Sequence, residues 1–251
     1  MLFRSRDVFA SRTAEDKALA AAALAPWMGR PLALVWSGDS GWNALAVTVG
    51  TKGRVKVAGT LASGLRVSVS AQLVVGPDWC FVPVVVSKSK VSLSFGLWFA
   101  KDGSETAVDG LSDDATLGEA TALDAGSAFR LDAAALCGLL GDDAYQGYLP
   151  DGLSVEPRGS KWVVADGARV GKVVLNAAGA VDDAKAGANP SALKFTYRKK
   201  DGTFTGSFKA YRNVKGRPKA VTVKVTGIVL EGVGYGTATV GTFGKLPVTI
   251  K

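Results

Sequence analysis

Few residues in this 251-residue chain have types that catalyse or ligate, and the missing types are as informative as those present. There is no histidine. That removes the Ser-His-Asp and Cys-His arrangements, the usual general base near neutral pH and the commonest metal ligand. Two cysteines, Cys80 and Cys137, stand far apart with no CxxC spacing, so zinc and iron–sulfur ligation are not expected. Nothing in the sequence brings the two within bonding range, and both read as thiols of the small, buried kind. The acidic pairs Asp113-Asp114, Asp142-Asp143 and Asp182-Asp183 are the remaining candidates for carboxylate chemistry. A glycosidase needs two carboxylates a set distance apart across a cleft, which neighbours on one loop seldom supply. Each pair reads more simply as a solvated loop or cap, and no DxDxDG-like calcium loop occurs. The expectation is a protein without catalytic residues, cofactor or metal.

Aromatic residues offer a binding site instead. Four of the six tryptophans, Trp36, Trp42, Trp79 and Trp98, lie in or beside one β-rich stretch. Exposed aromatic faces stack sugar rings, so a carbohydrate platform formed by Trp42 with Trp36 and Trp79 is the ligand site these residue types propose. Trp42 sits between Gly41 and Asn43 on a loop, where exposure and burial weigh equally. Trp79 and Trp98 read first as core, Trp98 because it follows the alternating run Leu93-Ser94-Phe95-Gly96-Leu97. Arg198, Lys199, Lys200, Arg212, Lys215, Arg217 and Lys219 gather at turns, where charge serves solubility. A nucleic-acid partner is not favoured, since exposed aromatics do not interleave with these cations and no nucleic-acid signature is evident. Gly232-Val233-Gly234-Tyr235-Gly236 has the look of a phosphate loop, but it lies within strands and no helix follows.

The elements that would position these residues are mostly strands. From Ala192 to Ile250 five short runs alternate apolar and polar residues: 193–197, 204–211, 221–225, 235–240 and 246–250. Gly, Pro and Asp turns separate them, which is the pattern of half-buried antiparallel strands. A similar script occurs earlier. Asn43–Val49 aligns with Ser191–Tyr197, Leu65–Ser70 with Ala220–Val225, and Leu93–Leu97 with Leu246–Ile250. The fold class expected is therefore mainly β, with two pseudo-repeated five-strand antiparallel meanders forming a barrel-like or sandwich body. Ahead of them, Thr13 caps an alanine-rich helix that ends by Pro26 and buries Leu19, Ala22, Ala23 and Trp27. Between them, Asp132 caps a second helix that Gly141 stops. A hairpin follows across Pro157-Arg158-Gly159-Ser160, and 169–175 reads as a further strand. The expected division is 1–43, helix and lead-in strand; 44–103, first meander; 104–189, acidic α+β insertion; and 190–251, second meander, in one body.

Charge follows that division. Residues 104–189 carry fourteen acidic and six basic side chains, net −8, while 190–251 carry twelve basic and two acidic, net +10. Residues 44–103 add seven basic against two acidic, net +5, within an overall +8. The simplest reading is an acidic segment docked on basic repeats, with a basic surface for a polyanion as the sharper one. No apolar run of 18 residues occurs and the N-terminus lacks the apolar core of a secretory signal, so neither a membrane span nor a signal peptide is read from the chain as given.

The stretches Leu149–Val155, Lys161–Ala168, Asn189–Lys194 and Gly232–Val240 carry a resemblance. The chain resembles, most strongly from Leu149 onward, the uncharacterised C-terminal β-rich modules of large secreted or surface proteins from Verrucomicrobia–Kiritimatiellae–Lentisphaerae-type bacteria. The resemblance implies an extracellular or cell-surface setting and brings no catalytic motif. Together these readings lead to a non-catalytic structural or interaction module, with a glycan or another surface protein as partner. The alternative of a different class is a carbohydrate-binding module using exposed tryptophans.

Overall fold

Period-2 alternation sorts each strand into an inner and an outer face, and the chain uses that sorting three times over. The computed structural model describes residues 8–10, 13–88, 91–140, 154–158, 161–164, 189, 191–215 and 217–251. In the first half, helix α1 (Ala14–Leu24) precedes nine strands: β1 (Leu32–Gly38), β2 (Gly41–Val49), β3 (Arg54–Thr60), β4 (Arg66–Gln72), β5 (Val74–Val75), β6 (Trp79–Lys88), β7 (Val91–Ala100), β8 (Thr106–Asp109) and β9 (Thr116–Glu119). They form two antiparallel sheets, one in the order β4-β3-β2-β1-β9 and the other β5-β6-β7-β8. Leu32, Leu34, Leu45, Val47, Val55 and Val57 of one sheet meet Val82, Val84, Phe95, Leu97 and Phe99 of the other in a shared core. The sheets are stitched at two edges. The Thr106 hydroxyl of β8 donates to the Leu117 carbonyl of β9, and Lys88 Nζ of β6 donates to the Arg66 carbonyl of β4 at 3.4 Å.

The second half is a closed antiparallel barrel. Its strands are β10 (Ser127–Leu131), β11 (Ser154–Arg158), β12 (Lys161–Val164), β13 (Lys194–Arg198), β14 (Thr203–Val214), β15 (Arg217–Leu230), β16 (Val233–Val240) and β17 (Gly244–Ile250), in that order around the wall. Phe129↔Ile250 and Leu131↔Val248 pair the first strand with the last and close it. An eight-strand barrel is just wide enough to be filled by side chains. Phe129 stacks edge-on to Phe208 at 5.9 Å and Phe195 against Phe204 at 4.9 Å, all within the barrel core. Helix α2 (Ala133–Leu140) sends Leu136 and Leu140 into that core and so covers one end. Asp132 caps it, its carboxylate accepting from Ala135 N at 2.9 Å.

The third apolar cluster joins the halves. The outer faces of β1 and β2 offer Ala33, Val35 and Ala44, with Ala46 beside them; β15 answers with Ile228 and Leu230, and β16 with Tyr235. Small residues on one side let the sheets approach closely. This seam explains why five consecutive residues of β1, Leu32 to Trp36, are all buried: a strand covered on both faces has no polar side to show.

The chain is mainly β with antiparallel sheets, as its alternation predicts, and several finer expectations are corrected. Residues 44–99 divide between two sheets, with no hydrogen-bonded pairing from β4 to β5. Residues 104–189 do not stand as an insertion among the described residues: β8 and β9 belong to the first half's sheets, and β10 to β12 are barrel wall. The physical reason is edge burial, since β13 to β17 alone would leave two open edges that these strands pair. Thr13 does cap α1, accepting from Asp16 N at 3.2 Å, but the buried stripe is Ala20, Ala23 and Leu24, continued by Trp27. Leu19 is 39% exposed, and Ala22 is exposed as well. Trp27 sets the rotation: its indole N–H donates to the Ala100 carbonyl at 2.8 Å and its ring meets Phe99 edge-on. Pro83 of β6 lies where β5 has ended, for β5 reaches only Cys80 and Phe81, so its missing N–H falls on an edge. The expected helix stop at Gly141 and the strand at 169–175 lie outside the described residues.

Candidate ligand-binding face

Strand β6 alternates strictly: Cys80, Val82, Val84 and Val86 are buried, and Trp79, Phe81, Pro83 and Val85 point outward. Register then brings outward residues of three strands together. Phe81 pairs with Trp98 and Pro83 with Gly96 across β6 and β7, while Trp98 pairs with Ala107 and Gly96 with Asp109 across β7 and β8. The rings of Phe81 and Trp98 lie 4.4 Å apart, tilted by 42°. Trp98 Nε1 donates to Asp109 Oδ2 at 3.2 Å. A shallow depression of about 360 Å³ is lined by Trp79, Trp98, Ala107, Val108 and Asp109. Beyond it the apolar strip runs on to Val85, which is 63% exposed.

Glycine at position 96 permits this packing. A side chain there would collide with the Asp109 carboxylate and with the Phe81 ring, so its absence lets a carboxylate and an aromatic edge meet over one backbone site. The result is two indoles and a phenyl ring presented on a sheet, with one fixed carboxylate beside them. Such a face can stack flat apolar surfaces and accept hydrogen bonds from hydroxyls. It holds no proton-transfer pair.

The three tryptophans expected to form a platform are not brought together. Trp36 is 6% exposed and packs in the first core. Register pairs Trp36 with Asn43 and Ser37 with Trp42, so Trp36 and Trp42 project from opposite faces of the β1–β2 hairpin. Trp42 is half-buried at the seam, its ring 4.8 Å from that of Tyr235. Trp79 alone of the three lies on the aromatic face. Its partner there, Trp98, reads as core when grouped with Phe95 and Leu97, but parity argues otherwise: position 98 shares a face with 94 and 96, not with 95 and 97.

The acidic residues play local structural parts. Asp114 accepts from Ser37 N at 2.8 Å and from the Ser112 hydroxyl, and these bonds hold its carboxyl below the usual range. Asp113, its neighbour, is exposed, while the pairs at 142–143 and 182–183 lie outside the described residues. A larger cleft of about 490 Å³ at the seam carries Glu105, Glu119, Asp124 and Glu231. Arg30 lies in it, 3.3 Å from Glu119 and 4.9 Å over the Trp27 ring. No group of three His, Cys, Asp or Glu with metal-holding geometry occurs among the described residues. Cys80 is buried in the first core, where burial pushes its thiol up against the opposing pull of Lys101, and Cys137 lies on α2 at the barrel. No described helix is long and apolar enough to cross a membrane.

No family model, curated protein or solved structure matches this chain.

Proposed function

We propose that this chain is a non-catalytic binding module of a secreted or cell-surface bacterial protein, and that its ligand is carbohydrate held on the face of β6, β7 and β8. The observation that carries the reading is the outward set Trp79, Phe81 and Trp98 beside Asp109. Burying the tryptophans would have been easy in a chain with two apolar cores, and leaving them outward has a solubility cost. Sugar rings recover that cost by stacking on the indoles, while Asp109 accepts from ring hydroxyls. Extracellular placement is supported by the resemblance from Leu149 onward, and surface shaving of intact cells by protease tests it. Glycan-array screening followed by calorimetry tests the ligand. Trp98→Ala and Trp79→Ala are each expected to weaken neutral-glycan binding about tenfold, the loss of one ring stack of roughly 1.4 kcal/mol. Trp36→Phe, in the core, is expected to leave it unchanged. Absence of any glycan signal, with a protein captured through the same Trp98-dependent face, would replace carbohydrate by a surface-protein partner.

The same reading extends to the origin of the body as two pseudo-equivalent copies. Its support is that the sequence alignments couple β2 with β13, β4 with β15 and β7 with β17, and the strands between them, β3 with β14 and β6 with β16, then fall into step. Superposition of the two five-strand sets in an experimental structure tests it; strands that match in order but not in inward-facing positions would reject common descent.

A further inference from the structure

A second cleft opens on the seam, well apart from the aromatic face, with a volume of about 350 Å³. Its lining includes Arg66 of β4, Arg198 of β13 and Lys245 of β17, with Thr205, Thr226 and Trp42. Among the described residues no carboxylate lines it. The cations are poorly compensated. Lys245 Nζ donates to the Ala62 carbonyl at 3.0 Å, the exposed Arg198 has the half-buried Asp201 at 3.8 Å, and Arg66 makes no ion pair among the described residues. A pair at that distance with a solvated guanidinium neutralises little. Three like charges converging in a concave site raise the local potential and attract an anion.

The hydroxyls narrow the class of anion. Register places Thr205 opposite Thr226 and Thr226 opposite Thr237, so a row of threonines crosses the barrel wall at the spacing of adjacent strands, about 5 Å. That spacing is close to one sugar residue of a chain laid across the strands. A nucleobase would need an open aromatic face, and Trp42 has Tyr235 against it. We propose that the seam cleft binds an acidic saccharide, one bearing carboxylate or sulfate groups. Arg66, Arg198 and Lys245 meet the anionic substituents and the Thr205 and Thr226 hydroxyls meet those of the ring. The cleft draws residues from both halves, so the site exists only when they are docked. It does not depend on the aromatic face.

Titration calorimetry on the full chain tests this with four probes: tetragalacturonate, a heparin-derived tetrasaccharide, neutral maltotetraose and inorganic sulfate. At least one acidic tetrasaccharide is expected to bind, weakening as salt rises. Arg66→Gln with Arg198→Gln is expected to lower that affinity at least tenfold; neither guanidinium is buried, so the fold is retained. Arg54→Gln with Lys56→Gln, which removes the same charge elsewhere, is expected to leave affinity within twofold, and Trp98→Ala likewise. The proposal is overturned if neither acidic tetrasaccharide binds, if inorganic sulfate binds as tightly as they do, or if the Arg54/Lys56 variant loses as much as the cleft variant. Tighter binding of a duplex oligonucleotide with the same Arg66 and Arg198 dependence would also overturn it, in favour of nucleic acid. Because Trp98→Ala separates the two sites, failure here leaves the β6–β8 reading standing, and the reverse also holds.

Discussion

Tyr197 shows how much one side chain can tie together. It lies in the barrel core, yet its hydroxyl donates to the Thr121 carbonyl at 3.0 Å, on the connection between the halves. Burial raises its pKa, with Asp201 adding to the effect, and burial alone raises that of Tyr211. A raised value means that the folded state holds the proton more tightly than the unfolded chain, whose tyrosines titrate near about 10. The stability from this difference is complete below about pH 10 and is lost as pH rises through the folded values. Denaturant midpoints are therefore expected to hold steady from about pH 7 to 9 and to drop above about 10, with a shallower drop in Tyr197→Phe/Tyr211→Phe. At neutral pH, Tyr197→Phe is expected to cost about 1 kcal/mol through the lost bond to Thr121. Asp114 works in the opposite sense: its lowered carboxyl contributes above the unfolded value near about 4 and is lost as acid titrates it.

Among the elements, β15 and β16 carry the sharpest packing constraint. Gly227 faces Gly236 across the two strands, and Phe204 of β14 pairs with Gly227 on the barrel's inner side. A side chain on Gly227 would strike the Tyr235 carbonyl and the Phe204 ring. Phe204 thus fills the space that the two glycines vacate, an arrangement that offsets the weak strand propensity of glycine. Gly227→Ala is expected to destabilise by about 1–3 kcal/mol through overpacking. Phe204→Ala is expected to cost about 3–5 kcal/mol by leaving a cavity. Urea unfolding followed by tryptophan fluorescence reads both. A nearly neutral Gly227→Ala would mean that β15 and β16 can part without loss.

For the molecule as a whole, the seam decides cooperativity. Apolar contacts from β1 and β2 to β15 and β16 are joined by cross-seam hydrogen bonds: Thr237 Oγ1 to the Trp42 carbonyl at 3.0 Å, and Glu231 N to the Glu119 carbonyl at 3.0 Å. Heat is expected to unfold the chain in one calorimetric transition, since neither half can leave without exposing that surface. The division of strands yields a second expectation. A fragment 125–251 keeps every barrel strand and is expected to fold, whereas 190–251 lacks β10 to β12, leaves β13 and β17 as open edges, and is expected to remain unfolded. Far-UV circular dichroism and thermal melts of both fragments check this. A folded 190–251 would mean that its five strands are stable without the rest of the barrel wall.

Local pattern was enough to read the mainly β character, the turns, the caps at Thr13 and Asp132, and the lack of histidine and CxxC chemistry, because each depends on residues a few positions apart. Alternation also contained the outward placement of Trp98, legible from its parity with Ser94 and Gly96. Other features depend on which strands lie side by side, and sequence distance hides that. The recruitment of β10 to β12 into the barrel wall and the meeting of Arg66, Arg198 and Lys245 in one cleft come from pairings many tens of residues apart. Such pairings are selected by the summed burial of three apolar clusters and by the cost of open strand edges. No short window of the chain contains either quantity.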